Sequence, residues 1–364
     1  MNYRKYLTVF CATMLCTVFF VSCDDDDNNS GESDPTPITT SFFILNRGND
    51  GSNNASLAFY DATTGMLEDK FYEKANDGSG LGDSAEDMLI YGSKTYVSVT
   101  SSNRLAILDQ SGKLIKAIEP KNESGEPMRP RYLAANKDKI YMSYYYGHSV
   151  AVLDTASLEV EKVIPVGRYP EQIVISGDKL YAANSGGLDY PNYGKTVSVI
   201  NLNSLEVVKN IDVVLNPTSL EANANGDVYV ISMGDYGDIP NTLQCINGNT
   251  DEVKTIGKGS RMDLVGNSLY VLYAQYGEQE TICVFKYNAL TGELENDNLV
   301  PEISKISTKN SLNIKADSDG SIYITDAPYT ETGTVHVFDK SGVEMSGSPV
   351  DTKGYGPNTL WIVK

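Results

Sequence analysis

A short string recurs six times along the chain, and its period decides the fold. It reads KTYV at 94–97, KIYM at 139–142, KLYA at 179–182, DVYV at 227–230, SLYV at 268–271 and SIYI at 321–324. Its central tyrosines, Tyr96, Tyr141, Tyr181, Tyr229, Tyr270 and Tyr323, lie 40 to 53 residues apart. That is the repeat length of a four-stranded propeller blade. A tight-turn sequence precedes each copy (YGSK, NKDK, SGDK, NGD, VGNS, SDGS), so the string opens the second strand of a hairpin. A third strand follows with alternating apolar residues: LAFYD, LAILD, VAVLD, VSVIN, LQCIN and VHVFD. Its terminal Asp or Asn is expected to open an Asx turn into a fourth strand. The sixth unit departs from this, with ICVFK at 282–286. Asp317-Ser318-Asp319-Gly320 reads as another hairpin, because no glutamate closes it at the spacing of a calcium loop.

One unit, beginning at Phe42-Phe43-Ile44-Leu45-Asn46, lacks its first strand. The C-terminal segment Pro357-Asn358-Thr359-Leu360-Trp361-Ile362-Val363 is a lone β segment that starts as other units do, with Pro130, Pro170 or Pro217. Pairing the last strand with the first covers two exposed edges and closes the ring. The expected fold is therefore all-β: a seven-bladed β-propeller over residues 41–364, closed by the C-terminal strand on the first blade.

In a propeller the inter-blade loops and the loops between second and third strands share one face. Here those loops hold eleven of the 24 tyrosines, together with Arg47, Arg131, Arg168 and Arg261. Tyrosine mixed with Asn, Gly, Ser and Arg suits a contact surface, combining stiff amphipathic rings with adaptable polar groups. The candidate ligand-binding residues are Arg47, Arg131, Tyr144, Tyr145, Tyr146, His148, Arg168, Tyr190, Tyr193, Tyr236, Tyr276 and Tyr329. Tyr144 and Tyr273 stand at strand ends, where stacking between blades competes with ligand contact.

The N-terminus carries a separate message. Arg4 and Lys5 precede an apolar stretch at 6–22, then Cys23 and four aspartates. This is the pattern of a secretory signal (1–22) rather than a domain segment. Ser22-Cys23 resembles a bacterial lipobox, which implies lipidation at Cys23 and an outer-membrane, outward-facing location. Phe20 stands where that motif usually has leucine. Residues 23–40 read as an acidic flexible tether, which fully extended reaches about 55 Å. The acidic run resembles the surface-export signal of Bacteroidota lipoproteins. Membrane attachment is then through the lipid alone.

The net charge of -19 argues against nucleic acid, whose affinity rests on Lys and Arg neutralising phosphates, and favours a soluble monomer. Cys245 and Cys283 fall in different repeats with opposite facing, so two buried free thiols are expected rather than a disulfide. No cofactor or metal is expected, because two histidines, His148 and His336, cannot build a multi-histidine site. No G-x-S-x-G elbow, phosphate-cradling loop or dinucleotide fingerprint is present, and the chain reads as a binder, not an enzyme. Scattered carboxylates leave a glycosidase or lyase as the enzymatic alternative.

The tyrosine strand, the Asp-terminated strand and the proline start resemble the surface-layer or YncE-like seven-bladed propellers. With the lipobox, acidic tether, tyrosine-rich loops and length, the chain is most similar to the cell-surface cobalamin-capture lipoproteins (BtuG family) of Bacteroidota. That resemblance implies capture of cobalamin or related corrinoids and delivery to a TonB-dependent outer-membrane transporter. Its motifs are those of the propeller, so it carries over no ligand-contacting residues. The alternatives are a surface propeller for a glycan or haem, or an adhesive or structural protein meeting a partner protein. A single tryptophan, Trp361 on the closing strand, argues against a sugar-stacking platform.

Overall fold

The computed structural model describes residues 35–274, 282–307 and 310–363. They form seven four-stranded antiparallel sheets. The inner strands are Pro357–Ile362 (blade 1), Ala85–Tyr91 (blade 2), Pro130–Asn136 (blade 3), Pro170–Ser176 (blade 4), Pro217–Ala222 (blade 5), Arg261–Val265 (blade 6) and Ser311–Ala316 (blade 7). Each inner strand touches the next, and blade 7 touches blade 1, so the ring is closed. Closure is the one expected: Phe42 pairs with Ile362, Ile44 with Leu360 and Asn46 with Pro357. The signal segment, Cys23 and Tyr276 lie outside the described residues, as does the tether as far as Asp34.

The core is divided. Seven apolar clusters sit one at each blade–blade interface, and the repeat tyrosines Tyr96, Tyr141, Tyr181, Tyr229, Tyr270 and Tyr323 are buried in six of them. The seventh, between blades 1 and 2, is filled instead by Tyr72 of the short helix Phe71–Ala75. The recurring tyrosine is thus the wedge that spaces neighbouring blades, a packing role.

At one end of the ring, called here the turn face, the Asx turns form as the sequence requires. Asp61, Asp109, Asp154, Asn201, Asn247 and Asp339 each accept the backbone N–H two residues on, at 2.8–3.0 Å. The sixth repeat conforms after all. Its third strand is Cys283–Asn288, and Asn288 accepts the Leu290 N–H at 3.0 Å. Asp317 likewise caps its hairpin, accepting from Asp319 N–H at 2.9 Å and from the Tyr323 hydroxyl at 3.0 Å.

Two sequence expectations need correction. Cys245 and Cys283 are free but only half-buried, although their strand neighbours Leu243, Ile246 and Val284 are fully buried. The segment just before the first strand, read as tether, is docked from Thr36 onward. Ile38 is buried and donates its N–H to Ser346 O at 3.3 Å, and Ser346 donates to Thr36 O at 2.8 Å. Apolar burial of Ile38 against blade 7 decides this, and composition alone does not show it. Ser346 lies in a turn-face loop, so Thr36 to Ile38 pack at that end.

The opposite end, the rim face, is held by non-local bonds. In blades 1 to 5 the residue before the inner strand adopts a left-handed conformation: Gly356, Ser84, Arg129, Tyr169 and Asn216. Its carbonyl accepts the N–H just beyond the second strand, as in Tyr145 N–H to Arg129 O at 2.9 Å and Met233 N–H to Asn216 O at 2.8 Å. The same five inner strands slip register immediately afterwards. Such bulges re-aim side chains at barrel rims. Here they set Glu86, Arg131 and Glu171 at the channel mouth.

Candidate functional site

The mouth of the central channel is closed by an ionic relay across four blades. Arg47 donates from Nε to Glu86 at 3.1 Å and from a terminal nitrogen to Asp50 at 3.0 Å. Arg131 donates from Nε to Glu171 at 2.6 Å and lies 3.6 Å from Glu86. Burial works to lower the Arg131 pKa, but the Glu171 and Glu86 carboxylates outweigh it and raise it. Burial holds the Glu171 carboxyl above its ordinary range, even against that guanidinium. Below the relay the inner strands of all seven blades line a cavity of about 200 Å³. Asp87, Gln172 and Asp263 there each accept a backbone N–H of the next blade's inner strand. Lys315 pairs with Asp263 at 2.6 Å. Burial pushes the Asp87 carboxyl up to about 7, despite the N–H groups it accepts. Burial likewise pushes Glu221, the channel carboxyl facing Lys315, up to about 8.

Above the mouth, blades 3 to 5 carry an arc of aromatic rings. The Tyr145, Tyr146 and Tyr169 centroids lie 5.2–6.1 Å from one another. Tyr190 and Tyr236 each stand 6.0 Å from Tyr193. The loop carrying Tyr190 and Tyr193 joins the two groups: Gly187 packs so closely on the Tyr145 hydroxyl that a side chain there would overlap it. Edge-to-face geometry dominates, as ring quadrupoles favour. Arg131 stacks on Tyr145 at 4.4 Å and Arg129 on Tyr146 at 4.3 Å. Tyr146, Tyr190 and Tyr236 remain 42%, 74% and 48% exposed, with Leu188 and Ile239 exposed on the same loops.

The backbone under this arc is strained. Arg129, His148, Tyr169 and Tyr236 all have φ between 48° and 60°. Bulky residues rarely occupy that region, which costs roughly 1–2 kcal/mol each. Left-handed residues occur at both ends of the propeller, but three of these four carry an aromatic or imidazole ring at the arc itself.

The sequence-named residues divide accordingly. Tyr145, Tyr146, Tyr190, Tyr193 and Tyr236 come together in the arc. Tyr144 is a correction: only 1% exposed, it is packed between blades 2 and 3, because its side chain alternates inward at the end of its strand. His148 accepts the Tyr169 N–H on Nδ1 at 3.1 Å and so props the turn beneath Tyr169. Arg168 is drawn into its own loop, pairing with Asp189 and donating to Asn192 O at 3.1 Å. Arg47 and Arg131 belong to the relay. Tyr329, 80% exposed on blade 7, makes no ring contact with the arc. His336 sits inside its strand with Nδ1 2.9 Å from Glu344. Sequence reasoning missed Arg129, Tyr169 as an arc member, and Glu86 and Glu171. The signal was present in the repeats: in blades 2 to 4 the residue after the inner strand's first is Glu86, Arg131 and Glu171. Among the described residues, no group of three or more His, Cys, Asp or Glu is placed to hold a metal ion.

Comparison with known proteins agrees with this architecture. A family model described as "Domain of unknown function (DUF5074)" matches residues 40–271, which span three strands of blade 1, blades 2 to 5 and the first half of blade 6. No curated protein matches the sequence. Among solved structures, a quinonprotein alcohol dehydrogenase-like protein from Bacteroides thetaiotaomicron superposes with TM-score 0.63 at 17% identity, over 88% of this chain and 78% of that one. A functionally unknown protein from Desulfotomaculum acetoxidans gives 0.61 at 14%, over 88% and 98%. Hydrazine synthase from Kuenenia stuttgartiensis gives 0.52 at 19%, over 68% and 74%. At these identities the likeness is one of fold, and it spans enzymes and proteins of unknown activity alike.

Proposed function

Because the chain belongs to the DUF5074 family, whose description carries no activity, we propose its function from the rim itself: a surface-exposed lipoprotein that captures cobalamin or a related corrinoid and passes it to a TonB-dependent outer-membrane transporter. The observation that carries this reading is the strained tyrosine arc of blades 3 to 5. A corrinoid offers a broad apolar ring edged with amide arms. Exposed tyrosine faces cover such a ring, while hydroxyls and guanidinium groups satisfy the arms. The rim loops are pre-bonded to one another through their backbones, so little ordering entropy is lost on binding. The reading is of a binder rather than an enzyme, since the carboxylates at the mouth are already engaged by arginines.

Cyanocobalamin is red, so retention through a desalting column tests the reading directly. Retention at micromolar concentrations is the expected result, and loss of all colour sinks the corrinoid. Simultaneous Tyr146→Ala, Tyr193→Ala and Tyr236→Ala should weaken binding about 100-fold or more, the effect of truncating central aromatic anchors. Unchanged affinity in that variant moves the site off the arc. Calorimetric binding of a glycan in place of cyanocobalamin would favour the nutrient-capture alternative.

A further inference from the structure

Six arginines fall among the described residues, and Arg129 differs from the rest. Arg47, Arg131 and Arg168 are held by carboxylates, Arg261 donates to Ser260 O at 2.8 Å, and Arg104 reaches Leu81 O at 3.5 Å. The Arg129 guanidinium has no carboxylate and no carbonyl partner among the described residues. Its Nε is shielded from solvent without a hydrogen bond, and one face lies on the Tyr146 ring. Its backbone is fixed: the N–H donates to Asn103 Oδ1 at 2.7 Å, and the carbonyl accepts the Tyr145 N–H.

The turn gives no reason for an arginine. The equivalent left-handed position holds Ser84, Tyr169, Asn216 and Gly356 in the other blades. Glycine or asparagine fills that conformation with less strain. A guanidinium stacked on an aromatic ring leaves its in-plane terminal N–H groups for an acceptor, and in Arg129 only Nε is shielded from solvent. Within a chain of net charge -19, an unpaired cation placed beside exposed rings is a specific attractor for negative charge.

We propose that Arg129, stacked on Tyr146, is a socket for an oxyanion of the rim ligand, a phosphate ester or a carboxylate. This rests on the rim reading for its place in function, but the socket is testable alone. The side-chain Nε–H resonances of ¹⁵N-arginine in the full mature chain are followed while sodium phosphate replaces sodium chloride at constant ionic strength. The Arg129 signal, identified by its absence from Arg129→Lys, is expected to shift saturably with a midpoint on the order of 10 mM, as one charge-assisted fork at a wet surface supports. A tighter midpoint for phosphate than for acetate assigns the phosphate ester, and equal midpoints assign a general oxyanion socket. Failure to saturate, or parallel movement of all arginine signals, overturns the proposal. Tyr146→Leu should weaken the response severalfold while leaving the other arginine signals in place, and an unaltered response removes the ring from the socket. Cyanocobalamin retention separates the two failures. Retention with a silent Arg129 defeats the socket alone, and a responsive Arg129 without retention defeats the corrinoid alone.

Discussion

The two ends of the propeller solve the same problem, reversing a strand, with different chemistry. On the turn face, left-handed positions are mostly glycines, such as Gly92, Gly177, Gly226, Gly266 and Gly320, although Lys137, Leu158 and Leu205 also adopt them. The Asp and Asn caps bond mostly to residues two to four positions on, with Asp154 also accepting from Lys139 and Asp317 from the Tyr323 hydroxyl. On the rim glycines such as Gly48, Gly82, Gly186, Gly234 and Gly356 share the conformation with Arg129, His148, Tyr169 and Tyr236. All six described arginines are at that end, whereas lysines such as Lys94, Lys139 and Lys179 open strands on the turn face. A turn built for folding alone uses residues that tolerate it. A rim that accepts strain with large side chains is using them for something else.

The contrast is sharpest in the ion pairs. Arg131→Met should destabilise the propeller by about 3 kcal/mol, because Glu171 and Glu86 are then left shielded from water without their shared cation. On the turn side, Lys116 meets an exposed Glu159 at 2.6 Å. Lys116→Met should change stability by under about 1 kcal/mol. Urea unfolding of both variants, with slopes equal to the parent's, measures the difference. Equal losses would mean that the relay is no more structural than an ordinary surface pair.

The same contrast explains what was legible in the sequence. The wedge tyrosine and the Asx cap each sit at a fixed place in the hairpin, so each copy announces itself locally even though the tyrosine packs on the next blade, and the aberrant sixth repeat kept its cap by shifting it to Asn288. Closure was legible because the last strand begins with the proline that opens three other inner strands. The rim was legible only as composition. Arg47, Glu86, Arg131 and Glu171 are separated by roughly a blade each, and only the shared place of the last three, second in an inner strand, links them in the sequence. Tyr144 and Tyr145 adjoin in sequence, yet the strand's alternation buries one between blades and puts the other beneath Arg131. Which tyrosine faces the ligand depends on where the strand ends, and that is fixed by the bonds Arg129 and Met128 offer from the preceding loop.

Deeper in the channel, toward the turn end, charge is less completely matched. Glu221 shares Lys315 with Asp263 and Asp87. Burial raises its carboxyl to about 8, so the folded chain keeps a proton that the unfolded chain releases near the ordinary glutamate range. Stability from that proton is complete below the unfolded pKa and fades as pH climbs through about 8. Glu221→Gln carries no such loss. Its stability relative to the parent should therefore improve between pH 5 and pH 9, by about 2 kcal/mol after allowance for water in the channel. Unfolding titrations at the two pH values decide it, and a constant difference would remove Glu221 from the linkage.

The smallest effect tests whether the turn face is as purely local as it looks. Asp109 accepts from the Ser111 and Lys113 N–H groups and from the Ser111 hydroxyl, all within four residues. Asp109→Ala should cost about 1 kcal/mol, the net worth of such bonds, and Asp109→Asn should cost a few tenths because the amide oxygen still accepts. Asn288→Ala in blade 6 should match Asp109→Ala, since the two caps bond alike despite their different sequence settings. Calcium should leave the melting temperature of all three variants and of the parent unmoved, because the Asp109 and Asn288 cap oxygens are already engaged by donors of their own turns. A calcium-dependent rise that disappears in Asp109→Asn would show that the aspartates form more than turns, and would give the turn face a ligand of its own.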